Sequence, residues 1–327
     1  MSKRIIIDVM GADNGIDVFV KGAALALKDF PDYEAVYVGH KDALEKAIKD
    51  NNYPYCNIID TDEIFLNTDS PMDLAVGDSK DNTSLVRGLK ALREDDDNVA
   101  MISAGSTGGF LVGSITKLGL IQGIKYPALA SPMINIHEKW FALLDCGANL
   151  DVDTKSMLNF AKMGTALMKS AFGNIENPRV GLLNVGKEET KGNKLTKETY
   201  QALKETSLNF IGNIEGHEIY LDKADVIICD GFVGNVFLKG AEALSMVIEK
   251  IVSHFGKDDP NIQAACKYIH KNFNYNEEGA AVFLGPKKIC LKAHGHATEH
   301  TIYSAIKFAA MLDKGQFIDN LNRELHK

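Results

Sequence analysis

Eight short apolar runs, separated almost end to end by stretches of helical periodicity, constrain this chain more than any other feature. The runs are RIIIDV (4–9), EAVYVG (34–39), VAMISA (99–104), FALLDC (141–146), RVGLLNV (179–185), LNFIGN (208–213), DVIICD (225–230) and KICLKA (288–293). Several are apolar at nearly every position, as strands are when both of their faces are covered. Between them, DVFVKGAALALKDF, TSLVRGLKALRE, SMLNFAKMGTALMKSAF, KETYQALKE and HTIYSAIKFAAMLDK carry the spacing of helices. Such alternation predicts an α/β protein of three layers, α/β/α, around a mostly parallel sheet. No repeat, low-complexity tract or linker interrupts it, so a single domain over 1–327 is expected. The acid run Glu94–Asp97 reads as a solvated loop between a helix and a strand. From about 232 to 273 the strand signal lapses. EALSMVIEKIVSHF and IQAACKYIHKNF, joined by the polar GKDDPN, predict a projecting helical hairpin as a subregion.

Composition excludes several classes of function. The formal net charge of −8 argues against a nucleic-acid binder, which normally presents a basic face. No continuous apolar run approaches the ~20 residues needed to span a bilayer. MSKRIIIDVMGAD lacks a small-residue cleavage site and reads as a first strand rather than a signal peptide. Five scattered cysteines (Cys56, Cys146, Cys229, Cys266 and Cys290) form no CxxC pair. That usage suits a reducing cytoplasm and offers no zinc framework.

Ligands of open parallel sheets bind at the carboxyl ends of the strands. Polar, glycine-bearing punctuation recurs there: Asp8 to Asp13, Ser103 to Gly109, Asp145 to Asn149, Gly186 to Asn193, Gly212 to Gly216, Asp230 to Asn235, and His294-Gly295. One such turn only reverses a chain; a series of them along one sheet edge outlines a site. SAGSTGG (103–109) has the make-up of an anion cradle. Glycines let N–H groups converge, hydroxyls add donors, and a helix starting near Thr107 would aim its positive end at the ligand. The chain contains neither GxxxxGK[ST] nor GxGxxG, so inorganic phosphate or a small phosphorylated group fits better than a nucleotide.

Taken together, these segments resemble the acyl-carrier-protein:phosphate acyltransferases, the PlsX family of bacterial phospholipid synthesis, over essentially the whole chain. DVMGAD is similar to the family's DAMGGD, SAGSTGG to SAGNTGA, LLDCGAN to LLDxGAN, and VGLLNVGKEETKGN to VGLLNIGxExxKGN. FIGNIEG followed by DVIICDGFVGNVFLK is the most specific block, and AHG near the C-terminus closes the set. The resemblance implies transfer of a long-chain fatty acyl group from an acyl-carrier-protein thioester to inorganic phosphate, giving acyl phosphate. It also implies a Rossmann-like fold related to phosphate acetyltransferases and isocitrate-type dehydrogenases, a homodimer, and no metal or organic cofactor. Acyl carrier protein and phosphate would be the partners, in the cytoplasm with peripheral association at the membrane. The polar GKDDPN turn of the hairpin reduces that expectation to weak, reversible membrane contact at most. The sequence departs from the pattern at Ser106 for the family's Asn, at Ala12 for a Gly, and at Tyr126-Pro127 for Arg–Pro. GDSKDNTSL, with only Lys80 and Arg87 basic nearby, stands where an RxKKDSS-like stretch is usual.

On that resemblance, Lys191 is the cation for phosphate or the thioester oxyanion, Asn235 an amide that orients phosphate or carbonyl, and His294 an acid–base group. Without it, Lys191 reads as a solvated lysine, Asn235 as a helix cap and His294 as a hydrogen-bonded strand-end residue. Ser103, Gly105, Ser106, Thr107 and Gly108 are assigned to phosphate. Asp8, Gly11, Asp13, Asn149, Asn193, Asn213, Glu215, Asp230 and Gly231 are assigned to ordering the turns. HGHATEH, with His294, His296 and His300, lacks the spacing of a zinc site. Cys146 and Cys229 read as buried small residues. Rival functions are a phosphate acetyltransferase-like enzyme using acyl-coenzyme A and a non-catalytic scaffold for carrier protein or membrane. A nicotinamide-dependent dehydrogenase of the related fold lacks its fingerprint.

Overall fold

In the computed structural model, which describes residues 2–53, 57–77, 79–172, 175–256, 259–273 and 280–327, strand β1 is Lys3–Asp8. Ile5, Ile6 and Ile7 are all 0% exposed. Because neighbouring strand residues point to opposite faces, both faces of β1 are covered. The described residues cluster into two compact units, one of 1–123 with 279–319 and one of 124–278 with 320–327.

The first unit follows β1 with α1 (Ile16–Asp29), β2 (Tyr33–Gly39), α2 (Lys41–Asp50), β3 (Asn57–Asp60) and α3 (Ser84–Glu94). Then come β4 (Asn98–Ser103) and α4 (Thr107–Gly113), the latter running into a wider turn over Ser114–Leu118. Later in the chain the unit is completed by β10 (Ala281–Leu284), β11 (Ile289–Lys292) and α9 (Glu299–Lys314). Its strands lie in the order β3-β2-β1-β4-β11-β10, parallel except for β10. Gly22 of α1 lets that helix close on Ile302 of α9, and Gly88 of α3 admits Met101 of β4.

The second unit contains β5 (Ala128–Ile134), β6 (Trp140–Leu144), α5 (Thr154–Ala171), β7 (Val180–Asn184), α6 (Lys194–Lys204), β8 (Phe210–Glu215) and β9 (Val226–Ile228). Helices α7 (Gly231–Phe255) and α8 (Pro260–Phe273) form the hairpin, and α10 (Phe317–Leu325) begins in the first unit and ends in the second. The strand order is β5-β6-β9-β7-β8, parallel except for the β5–β6 pair. Mostly parallel strands flanked by helices are thus the rule in both units, as the alternation required.

All eight expected strands are present, together with three that the sequence reading did not name. β3 and β10 have four residues each, too short for a pattern. β5 contains Pro132, which counts against a strand but is accommodated opposite Ala142. β8 runs two residues further than expected, so Gly212 and Asn213 lie within the strand rather than in a turn after it. Helix α7 starts eleven residues before the EALSMV stretch, at Gly231, and is 25 residues long. By length and mean hydropathy it could cross a bilayer, yet Lys239, Glu242, Glu249 and Lys250 interrupt it. Cys56 and Lys257, and the side chain of Lys271, lie outside the described residues.

The beginnings of the strands are tied by ion pairs. Arg4 bonds Asp95 and lies 3.8 Å from Asp97, so part of the acid run anchors β1 rather than standing free in solvent. In the second unit the Arg179 guanidinium forks between Asp222 (2.7 Å) and Asp225 (2.8 Å). Glycine-bearing turns and the buried carboxyls Asp8 and Asp145 lie at the opposite ends.

Candidate active site

At the carboxyl ends of β1, β4 and β11, the first unit gathers Asp8, Ser103 and Lys292. The Ser103 hydroxyl donates to Asp8 Oδ2 at 2.8 Å, and Met10 N donates to Oδ1 at 3.1 Å. Ser84 adds a hydroxyl bond from α3. Asp8 is 2% exposed, and burial pushes its carboxyl up to about 6 against the pull of these donors and of the Lys292 charge. Gly105 N donates back to Ser103 Oγ at 3.2 Å. Gly11, at φ +78°, packs against the Gly105 backbone, where a Cβ would come within 3.3 Å of Gly105 Cα. The DVMGAD and SAGSTGG turns therefore close on each other through their glycines.

The remaining glycines of SAGSTGG serve packing. A Cβ on Gly108 would meet Pro71 at 3.0 Å, and one on Gly109 would meet the Phe65 ring at 2.5 Å. Ser106 caps α4, its hydroxyl accepting from Gly109 N at 3.2 Å. This is what a Ser in place of the family's Asn does here, since both are good caps. Thr107 is exposed on the first turn, whose N–H groups have no partners within the helix. Asp13 is held apart from the Asp8 cluster. Its N–H donates to Gly295 O, and its carboxylate pairs with His296 at 2.7 Å. His294 accepts from His296 N at 3.2 Å, and His300 stacks on Tyr303. The basic residues of the depleted stretch are engaged elsewhere: Lys80 with Asp69 at 3.0 Å, Arg87 with the Asp60 carbonyl.

In the second unit the organising group is Asp145, 0% exposed, which the sequence reading passed over. Its carboxylate accepts from Leu129 N, Ala148 N, Asn149 N and Asn149 Nδ2, at 2.7 to 3.0 Å. Burial raises its pKa while these donors oppose the rise. Asn149 also donates to Pro127 O, and its own carbonyl accepts from Gly231 N at 2.8 Å. Asp230 caps α7 through Val233 N at 2.8 Å. The first turn of α7 lies directly against the LLDCGAN loop. A Cβ on Gly231 would come within 2.4 Å of Asn149 O, and one on Gly234 within 1.9 Å of Asp145 O. Asn235 is thereby seated over Gly147, at 3.3 Å from where a Cβ there would be. Cys146 and Cys229 are buried beside it, and burial holds both thiols up.

Lys191 stands at the end of β7, the strand beside β9. Its turn is held through its backbone: Lys191 N donates to Glu188 O at 3.0 Å, and its carbonyl accepts from the Asn184 side-chain Nδ2 at 3.2 Å. Gly192, at φ +94°, leaves no room for a side chain beside Asn184 and Thr196. The Lys191 side chain is exposed and has no acidic partner among the described residues. Asn193 caps α6 through Thr196 N at 2.9 Å. Asn213 donates to Glu188 O at 3.0 Å, bracing the Lys191 loop from β8. Glu215 shares a reciprocal cap with Glu218, whose other contact is Lys187 at 2.7 Å. Ligand atoms of Glu215, His217 and Glu218 lie within 4.8 Å of one another, with the Glu218 carboxylate already paired to the Lys187 ammonium.

Asp145 and Lys292, at strand ends, and Ser84, at the start of α3, are polar residues of these clusters that sequence reasoning left unassigned. For Lys292 a signal existed: a lysine closing the apolar strand KICLKA, immediately before AHG.

The fatty acid synthesis protein family model matches residues 3–320. The phosphate acyltransferase of Clostridium perfringens is 39% identical over 334 residues, covering 99% of this chain and 97% of that protein. That of Clostridium tetani is 38% identical, covering 98% of each. Among solved structures, a phosphotransacetylase from Streptococcus pyogenes superposes with TM-score 0.63 at 16% identity, covering 97% of this chain and 94% of that one. The EutD phosphotransacetylase of Staphylococcus aureus gives 0.61 at 14%, covering 96% and 94%. These two likenesses are of fold. The chain belongs to the fatty acid synthesis protein family, the PlsX phosphate acyltransferases whose motifs its sequence carries.

Proposed function

We propose that this protein transfers a long-chain acyl group from acyl-carrier-protein thioester to inorganic phosphate, releasing acyl phosphate and free carrier thiol. The observation that carries the reading is that Asn235, near the start of α7, and Lys191, in the loop after β7, follow neighbouring parallel strands and are braced by part-buried hydrogen bonds, in a chain of this family. Phosphate is itself the nucleophile, so the protein need only hold it, stabilise the thioester oxyanion and exclude water. Orientation can supply ~7–11 kcal/mol and one oxyanion donor about 2.7–4 kcal/mol. In the mechanism, a phosphate oxygen attacks the thioester carbon, negative charge collects on the carbonyl oxygen, and the carrier thiolate leaves. Lys191 neutralises that charge or the phosphate, and the Asn235 amide orients its partner. In the first unit the exposed Thr107 and the first-turn N–H groups of α4 are the donors for phosphate, Ser103 being 0% exposed with its hydroxyl given to Asp8. The departing thiolate takes its proton from water, because His294 Nδ1 accepts from His296 N and the neutral ring is no acid.

We place the protein in the cytoplasm, as a homodimer, with acyl carrier protein as partner and weak membrane contact. The exposed apolar stripe of α7, with Val247 50% and Ile251 52% exposed, supports a partner surface rather than a core. The test is release of free thiol from palmitoyl-carrier protein with and without phosphate. Phosphate-dependent release that falls by about 10²–10³ in Asn235→Ala and in Lys191→Ala is expected. No release from folded protein at any phosphate concentration sinks the reading. Release from palmitoyl-coenzyme A alone would favour the acetyltransferase-like alternative, and carrier-protein binding without turnover the scaffold.

A further inference from the structure

The turn that the sequence reading assigned to phosphate has no cation of its own in SAGSTGG, and the nearby Lys80 and Arg87 are engaged with Asp69 and Asp60. The structure supplies one from a distant part of the chain. β11 pairs in parallel with β4, Lys292 lying opposite Ser103, so the last residue of each strand reaches the same edge. The Lys292 ammonium donates to the carbonyl of Ala104, within the turn, at 3.2 Å and to that of Ala293. Its charge also acts on Asp8, which the Ser103 hydroxyl ties to the same turn. The three preceding residues, Ile289, Cys290 and Leu291, are at most 3% exposed. The two carbonyls seat a half-buried ammonium at the end of an apolar strand, on the same sheet edge as the turn.

We propose that Lys292 is a phosphate-binding residue, the cation that the SAGSTGG turn lacks, held in place by the carbonyls of Ala104 and Ala293. This rests on the phosphate-transfer reading above and adds a residue to it. The bland alternative is an Asp8–Lys292 pair that only stabilises the fold. The two differ in what a neutral side chain would do. Lys292→Gln keeps an N–H donor for the carbonyls but removes the charge. Lys292→Arg keeps the charge.

The experiment compares wild type, Lys292→Gln and Lys292→Arg, each shown folded by circular dichroism, in phosphate-dependent thiol release. Loss of one charge-assisted contact predicts a phosphate KM raised ~10- to 100-fold in Lys292→Gln. The KM for the acyl thioester should stay within about twofold, and Lys292→Arg should recover most of the phosphate affinity. A phosphate KM unchanged in folded Lys292→Gln, or thioester and phosphate KM rising together, overturns the assignment. Calorimetric titration of wild type and Lys292→Gln with inorganic phosphate separates this from failure of the reaction itself. If wild type binds phosphate and Lys292→Gln binds it more weakly, the residue assignment stands even where no thiol is released. Equal binding by both, or none by wild type, removes it. Should Lys292→Gln not fold, Lys292→Met takes its place, and a phosphate affinity like that of wild type would again overturn the proposal.

Discussion

Asp8 holds its proton to a higher pH than an exposed aspartate because ionising it places a charge where water cannot reach, 2% exposed between β1, β4 and α3. Its carboxyl stands at about 6 against the ordinary 3.8. Between those values the unfolded chain has released a proton that the folded chain keeps. The stability contributed is therefore fully present below pH ~4 and is lost as pH rises through ~6, by up to about 3 kcal/mol. Asp8→Asn should abolish that loss. Urea denaturation at pH 4.5 and pH 7 should show a smaller fall in stability across this interval for the variant than for wild type. Equal falls would mean that Asp8 ionises normally and that its hydrogen bonds outweigh its burial. The companion group in the second unit, Asp145, has the same direction of shift for the same reason, with four donors opposing it.

Helix α7 shows how glycine acquires different meanings within one element. Gly234 lies where a Cβ would be 1.9 Å from Asp145 O, a backbone atom that cannot move aside cheaply. Gly240, two turns on, has nothing within 4 Å. Gly234→Ala should cost about 2–3 kcal/mol through overpacking and shift Asn235. Gly240→Ala should gain ~0.5–1 kcal/mol, because alanine loses less backbone entropy in a helix. Thermal or denaturant unfolding of the two variants provides the check, and a mild effect at Gly234 would count against the tight seating of α7 on the LLDCGAN loop. At the same scale, the motif strings were legible but their internal division of labour was not. Gly108 and Gly109 sit beside Gly105 in sequence, yet face Pro71 and Phe65 from a segment about forty residues earlier. No local pattern carries that information.

For the molecule as a whole, the α7 stripe departs from a self-sufficient fold. Val247, Ile248, Ile251 and Phe255 are 40% to 81% exposed on a helix whose first turn is firmly anchored. Covering that face with a second copy is the expectation of the homodimer proposal. Ile251→Glu should then sediment as a monomer where wild type sediments as a dimer, with circular dichroism unchanged. A wild-type monomer, or a variant that still dimerises, would move the interface elsewhere. A monomeric wild type that partitions onto anionic vesicles would leave the stripe to a membrane surface instead.

Residue order was enough for the class of fold, because strand–helix alternation with doubly covered apolar strands leaves few arrangements other than a mostly parallel sheet between helices. It determined the family as well, since FIGNIEG, DGFVGN and KGN are read directly from residue order. Short strands such as β3 and β10 escaped because four residues show no period, and β5 because Pro132 disguised it. The tertiary structure alone decided which polar groups act together. Parallel pairing brings Asp8, Ser103 and Lys292, nearly three hundred residues apart in the chain, to one sheet edge. Burial then fixes what each can do, by setting the cost of a charge at Asp8 and Asp145, and burial belongs to the packed chain rather than to any stretch of it.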